Sequence, residues 1–326
     1  TRAPANPFTP VERIWIPGTR LQGIRPNSSR RREPAADQTL LRHTDFVTPE
    51  TSQIVGALRV GVVGCGGLGP IVAENLMRLG VREFALFDPD TLEASNLNRW
   101  LGGRRTDIGR AKADLLAERL RDCEPSLRAE AHRVDVVAAN PLAAAGTCDL
   151  LVSAVDNDAA RLWANRAANA CLVPLFDAGV RVRTAPRVDF LTRIVPVVPG
   201  VTACLECSGL SLLDRLAIGG ALDGMTAMVR ARAGYVEDAP AGAPSVMALN
   251  TRAAGDLALA VLSYLAGWSA CAPRPAIGKW AEARTILVEP DAHLPAKDCP
   301  SCGEGNRARG LLADGPRLRE SSSVAR

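Results

Sequence analysis

Arg59-Val-Gly-Val-Val-Gly64 is a short β-branched run that ends in glycine, and Gly64-Cys-Gly-Gly-Leu-Gly69 leads from it into an apolar pattern of helical spacing, Leu68 to Leu79. A strand that turns through glycines into a helix aims backbone N–H groups and the positive end of the helix at one point, where a phosphate can sit. A second buried strand, Glu83-Phe-Ala-Leu-Phe-Asp88, completes a βαβ unit. Asp88, about twenty residues past the loop, is placed to accept hydrogen bonds from a ribose. These features say nucleotide and no more: a dinucleotide and a triphosphate both satisfy them, and a tight turn without ligand is the bland alternative.

The alternation continues with a helix over 109–121, a strand before Asp135, the strand Asp149 to Val155, a helix over 158–170 and a strand at Val173 to Asp177. This predicts an α/β fold: a Rossmann-like, doubly wound, mainly parallel sheet with helices on both faces. From Arg181 to Val198 strand follows strand without a helix, which predicts an antiparallel extension. A long apolar helix from Ser245 to Ala266 and a strand at Thr285 to Val288 close the pattern.

Composition divides the chain into three regions. Residues 1–50 are rich in Pro, Arg, Ser and Asn, with one apolar patch at Ile14 to Ile16, and read as a partly disordered N-terminal arm. Residues 51–302 read as one nucleotide-binding domain, interrupted at 208–244 by a Gly-, Ala- and Arg-rich stretch expected to be a mobile crossing segment. Residues 303–326 read as a C-terminal tail.

At 326 residues and 47% hydrophobic content the chain can bury a substantial core. The formal charge of +4 is small, and the arginine surplus gathers at the two ends, which favours solvated tails over a nucleic-acid surface. The longest apolar run, Leu257 to Trp268, contains Ser263, Tyr264 and Gly267 and falls short of the ~20 residues of a membrane span. With no secretory pattern at the start, a cytoplasmic location is expected.

The residues beyond Asp88 narrow the chemistry. The run Asp88-Pro-Asp-Thr-Leu-Glu-Ala-Ser-Asn96-Leu-Asn-Arg99, then Asp107-Ile-Gly-Arg-Ala-Lys112, then Ala154-Val-Asp156-Asn157, resembles the E1-like adenylyltransferases, a family that includes the ThiF and MoeB activators of sulfur-carrier proteins and the ubiquitin-activating enzymes. The resemblance spans about residues 42–302. It implies that Gly64, Gly66, Gly67 and Gly69 shape a phosphate loop, that Asp88 holds the ribose of ATP, that Asn96, Arg99 and Lys112 contact the triphosphate, and that Asp156 holds Mg²⁺. It also implies a homodimer in which Arg42 reaches a nucleotide across the interface, although an arm with many arginines makes Arg42 a weaker match. Attack of a carboxylate on the α-phosphorus accumulates negative charge, which Arg, Lys and Mg²⁺ stabilise. The bland readings are that Arg99 and Lys112 are surface cations, that Asp156 caps the helix starting near Asp158, and that Asn96 sits in a turn.

Cys204-Leu-Glu-Cys207 and Cys299-Pro-Ser-Cys302 offer four thiolates in two pairs, the donor set of a closed tetrahedral Zn²⁺ site. The pairs lie about ninety residues apart, too far for a compact zinc ribbon, so the metal is expected to clip distant segments together. Of the other cysteines, Cys65 lies in the loop near a helix N-terminus, a place that lowers a thiol pKa, while tight glycine neighbours argue for burial. Ser208 to Ala270 contains no cysteine, so the expected reaction stops at the adenylate or passes it to an external nucleophile.

None of His43, His132 and His293 neighbours a serine or cysteine in a nucleophile motif, which disfavours a hydrolase. The leading expectation is an ATP-dependent adenylyltransferase acting on the carboxylate of a small protein or peptide, such as a sulfur carrier, a ubiquitin-like protein or a ribosomal peptide. An NAD-dependent oxidoreductase, which would leave Arg99, Lys112, Asp156 and the cysteine quartet without a role, and a non-catalytic half of a heterodimeric E1 are the alternatives.

Overall fold

A computed structural model describes residues 14–16, 22–24, 42–43, 45–183, 188–207, 245–268, 273–281, 284–288, 295–299 and 301–303. The expected crossing segment at 208–244, most of the N-terminal arm, the tail beyond 303, Cys271 and His293 lie outside the described residues. Within the arm, β1 (Ile14–Ile16) pairs antiparallel with β2 (Gln22–Ile24), so the apolar patch is one strand of a ribbon.

Helix α1 (Pro49–Gly56) starts where Thr48 accepts the N–H of Thr51 at 3.2 Å and proline occupies the first turn. Next along the chain come β3 (Arg59–Val63), α2 (Gly69–Arg78), β4 (Glu83–Phe87), α3 (Lys112–Cys123), β5 (Arg128–His132), α4 (Val136–Ala139), α5 (Leu142–Gly146), β6 (Leu150–Ser153), α6 (Asp158–Cys171), β7 (Leu175–Arg183), β8 (Asp189–Val197), α7 (Met247–Ala266), β9 (Ala276–Ala281) and β10 (Arg284–Val288).

The main sheet has eight strands in the order β10-β9-β8-β7-β6-β3-β4-β5. The five from β7 to β5 are parallel, and β8, β9 and β10 extend them antiparallel. Both the doubly wound half and the extension match the expectation. Register decides where a ligand can lie: Val63 is level with Phe87 on one side and with Ser153 on the other. The residues after β3, β4 and β6 therefore leave the sheet along one edge, at the point where strand order reverses.

Alternate strand residues face two helical layers. Val60, Val62, Phe84, Leu86, Leu150 and Val152 pack with α2, α3 and α7, whereas Val63, Ala85, Phe87 and Leu151 pack with α4 and α6. Helix α6 is alanine-rich on this side, with Ala160, Ala164, Ala167 and Ala168 buried, so it lies close to the strands.

Four details depart from the sequence pattern. Helix α3 begins at Lys112 and not at 109, because Gly109 N–H bonds to Leu92 O, Leu92 N–H to Arg110 O, and Ala111 bridges Thr91, which holds 109–111 extended. Strand β7 begins two residues late, since Leu172 ends α6 in a left-handed conformation, and it runs on to Arg183 to pair with β8. Strand β9 was not expected; Ala-Ile-Gly-Lys-Trp-Ala lacks a clean alternation. The short helices α4 and α5, one opened by an Asp135 cap, were also not expected.

Candidate active site

The glycine loop between β3 and α2 is held from three sides. Gly64 has φ +94, and a Cβ there would lie 2.9 Å from the Ala154 carbonyl after β6. A Cβ on Gly69 would lie 2.0 Å from the Gly64 carbonyl oxygen, so the loop closes on itself at van der Waals contact. The indole N–H of Trp100, buried beside the loop, donates to the Cys65 carbonyl at 2.8 Å. Asp88, the first residue after β4, accepts the Cys65 N–H on Oδ2 at 2.6 Å and the Asp90 N–H on Oδ1 at 2.8 Å.

At Gly66 the chain makes no such demand. A Cβ there would meet nothing within 4 Å. The loop thus presents an open face at Gly66, beside the N-terminus of α2, of the kind a phosphate requires. Gly67 is intermediate: its Cβ position lies 3.1 Å from Cγ of Arg99 and 2.6 Å from Nδ2 of Asn250 in α7.

Cations and anions meet at this edge. Lys112, at the start of α3, is only 8% exposed, and its Nζ bonds Asp90 Oδ2 at 2.8 Å while Asp90 itself is 63% exposed. Lys112 is therefore not a surface cation on a helix face. Arg99 is half-buried, packs its stem on Gly67, and donates from Nη1 to Ser95 O at 2.8 Å and Asn98 Oδ1 at 3.1 Å. Asn96 takes the turn role of its bland reading: buried, it accepts the Glu93 N–H at 3.3 Å and closes the turn that carries Arg99. Asp156 is exposed past β6 and does not cap α6; Asn157 does, accepting the Ala160 N–H at 2.8 Å. Arg42 is exposed in a short helical turn before α1.

Burial raises the pKa of Asp88, against the backbone N–H groups and the Lys112 charge that lower it. The Cys65 thiol is pushed well up by complete burial and by the neighbouring Asp88 charge, which corrects the lowering that its place near a helix N-terminus suggested. Cys148 and Cys171 are buried, whereas Cys123 is exposed.

Cys204, Cys207, Cys299 and Cys302 converge with all four sulfurs within 4.8 Å of one another; Cys204 and Cys299 lie 3.6 Å apart, Cys207 and Cys302 3.5 Å. Tetrahedral zinc with bonds of about 2.3 Å needs sulfurs about 3.8 Å apart. The donors fit. Burial raises Cys204 and pushes Cys302 up to about 11, whereas at Cys299 burial is outweighed by hydrogen bonds from the Cys302 and Ser301 backbone, which lower it. The cluster lies against α6, where the Leu205 N–H bonds Asn165 Oδ1 at 2.9 Å and the Ser301 hydroxyl bonds Glu206.

Trp100, Asp90 and the residues that fix the quartet on α6 were not singled out from the sequence. Trp100 comes directly after Arg99, but nothing in its apolar side chain announces a hydrogen bond to a loop 35 residues earlier.

A glycine loop at a topological switch point, a buried aspartate that orders it and a buried lysine define a nucleotide-binding α/β domain. The profile of the ThiF family matches residues 40–285, and the chain belongs to that family. The resemblance to E1-like adenylyltransferases is thereby borne out. Among curated relatives, ubiquitin-like modifier-activating enzyme 5 of Drosophila persimilis is 32% identical over 162 residues, covering 46% of this chain and 40% of that protein. The Bombyx mori enzyme of the same name is 30% identical over 161 residues, with 46% and 39% covered. The chain thus spans less than half the length of these relatives. Among solved structures, E. coli MccB with AMPCPP and MccA superposes with a TM-score of 0.61 at 18% identity, covering 84% of this chain and 76% of that one. MccB with ATP gives 0.58 at 19%, covering 78% and 70%. At these identities the likeness is one of fold. No helix among the described residues is long and apolar enough to cross a membrane.

Proposed function

We propose that this protein is an ATP-dependent adenylyltransferase that activates the terminal carboxylate of a small protein or peptide as an acyl-adenylate. The observation that carries the reading is the open face at Gly66, with Asp88, Lys112 and the Arg99 stem gathered around the same loop. In the reaction a carboxylate oxygen attacks the α-phosphorus, the bond from that phosphorus to the bridging oxygen of the β-phosphate breaks, and pyrophosphate departs with the electron pair.

Each residue has a part in this. Asp88 accepts the ribose hydroxyls. Lys112 exchanges Asp90 for phosphate oxygens, bringing to the leaving group a charge already positioned by burial, and Arg99 serves the same charge from the other side of Gly67. Asp156, exposed after β6, would hold Mg²⁺, whose charge would neutralise the phosphates. Zn²⁺ in the cysteine quartet is structural: its four thiolates leave no open position for chemistry. The protein acts as a homodimer, with the exposed Arg42 offered to the partner's nucleotide, and in the cytoplasm.

The substrate class rests on the relatives. One is named as a ubiquitin-like modifier-activating enzyme, and MccB has been solved with MccA. Pyrophosphate exchange into ATP, measured with candidate proteins ending in Gly-Gly and with peptides, tests the reaction. Exchange should require the carboxylate substrate, and Lys112→Ala should lower it by about two to four orders of magnitude. Tight binding of NAD with none of ATP–Mg²⁺ would instead favour an oxidoreductase.

A further inference from the structure

Helix α7 lies in the layer beside α2, and the buried residues on either side of position 250 are apolar: Leu249, Ala253, Ala254 and Leu257. Asn250 interrupts them. It is 1% exposed, yet its Oδ1 is buried with no hydrogen-bond partner among the described residues. Its Nδ2 is turned toward the phosphate loop, 2.6 Å from the point a Cβ on Gly67 would occupy, and donates to nothing there. Other buried asparagines each hold one side-chain hydrogen bond, Asn165 Oδ1 receiving the Leu205 N–H and Asn169 Nδ2 donating to the Asn165 carbonyl, and each leaves its other amide atom without a partner among the described residues. A buried amide is ordinarily paired, and a leucine would suit the surrounding packing without the desolvation cost. The side chain shares the space over Gly67 with the Arg99 stem, one residue from the open face at Gly66.

We propose that Asn250 is a phosphate-contacting residue, its Nδ2 donating to a phosphate oxygen of ATP that lies over Gly66 and Gly67. The inference rests on reading the loop as an ATP site. It makes the first turn of α7 part of the nucleotide site, so that α7 joins the loops after β3, β4 and β6 around the phosphates. An amide is suited to this place: it supplies a donor without a second buried cation beside Arg99, and Gly67 leaves room for it to approach the loop backbone.

The test is calorimetric binding of ATP–Mg²⁺ to the full chain alongside the melting temperature without ligand. Asn250→Leu should melt at or above the wild-type temperature yet bind ATP at least about tenfold more weakly, the scale of one hydrogen bond to a charged group. Asn250→Asp should bind more weakly still, because it sets a carboxylate against the phosphate. Should the leucine variant fail to fold, Asn250→Ser removes the reach of the amide with less change in packing and is read in the same way. Wild-type affinity for ATP in Asn250→Leu, or a loss of affinity no greater than the loss of melting temperature explains, overturns the assignment of Asn250 alone. A wild-type protein that binds no ATP overturns the reading of the loop itself, and this result is distinguishable because it appears before any substitution is made.

Discussion

The Asp88 carboxylate and the Cys65 backbone N–H are joined by a 2.6 Å hydrogen bond that spans from the end of β4 to the glycine loop after β3. One residue thereby shapes the loop from the neighbouring strand. Because its other oxygen takes the Asp90 N–H, the negative form of Asp88 orders the segment that leads to Lys112 as well.

Nucleotide binding should therefore depend on pH. Burial holds the Asp88 pKa above the ordinary aspartate value, so its protonation begins at a higher pH than that of an exposed carboxylate. Protonation replaces an acceptor with a hydroxyl and removes the partner of the Cys65 N–H. ATP affinity should fall on acidification before exposed carboxylates titrate, and the fall should disappear in Asp88→Asn, whose affinity is low throughout. Calorimetric titrations across a pH series check this; an affinity that is flat until the whole protein unfolds contradicts it.

The four loop glycines should separate under alanine substitution. Gly66→Ala places a methyl in open space, so the protein should fold with an unchanged melting temperature while losing nucleotide affinity. Gly69→Ala drives a methyl into the Gly64 carbonyl and should unfold the loop or the protein. Thermal melts with and without ATP distinguish the two; a Gly66→Ala variant that binds ATP like wild type would place the phosphate elsewhere.

These glycines also show what a sequence of this kind discloses. The glycine spacing, Asp88 and the alternation of strand and helix are local patterns, and the parallel sheet, its antiparallel extension and the glycine loop were legible from them. Buried Lys112 was legible only through family resemblance, since its neighbours Ala111 and Ala113 say nothing of its depth. Trp100 and Asn250 reach the loop through tertiary packing from positions 35 and about 180 residues away, which no local period encodes. Strand β9 was missed for a related reason: its pairing with β8 and β10, not its own alternation, makes it a strand.

The cysteine quartet should behave as a fold staple. Zinc analysis should give one ion per chain, and Cys204→Ser or Cys302→Ser should lower the melting temperature with little effect on ATP affinity in protein that remains folded, because the cluster packs on α6 and none of its members touches the loop. A chelator should have the same effect as the substitutions. Freshly prepared protein without metal, its four thiols freely reactive, contradicts the assignment.

Asp177 offers the sharpest test of what secures the sheet beside the site. It is fully buried in β7 level with Ser153, and accepts Arg161 Nε from α6 at 2.9 Å and Arg193 Nη2 from β8 at 2.8 Å. Burial alone would raise its pKa, but the two guanidinium charges outweigh that and hold it below the ordinary aspartate range. A carboxylate with a depressed folded pKa adds stability at pH above its unfolded value, and that stability is lost as pH falls from there through the folded value. Asp177→Asn removes the anion and leaves two buried cations without it, which should cost about 3–5 kcal/mol near neutral pH, the scale for breaking a buried pair. On acidification the wild type protonates Asp177 and loses the same contribution, while the variant has nothing there to lose. Denaturant midpoints of the two proteins should therefore draw together as pH falls below the ordinary aspartate value of about 3.9, and go on doing so down through the folded value. A gap that stays constant over this range would mean that Asp177 contributes through shape and hydrogen bonding, and that its charge is not what joins α6 to β8.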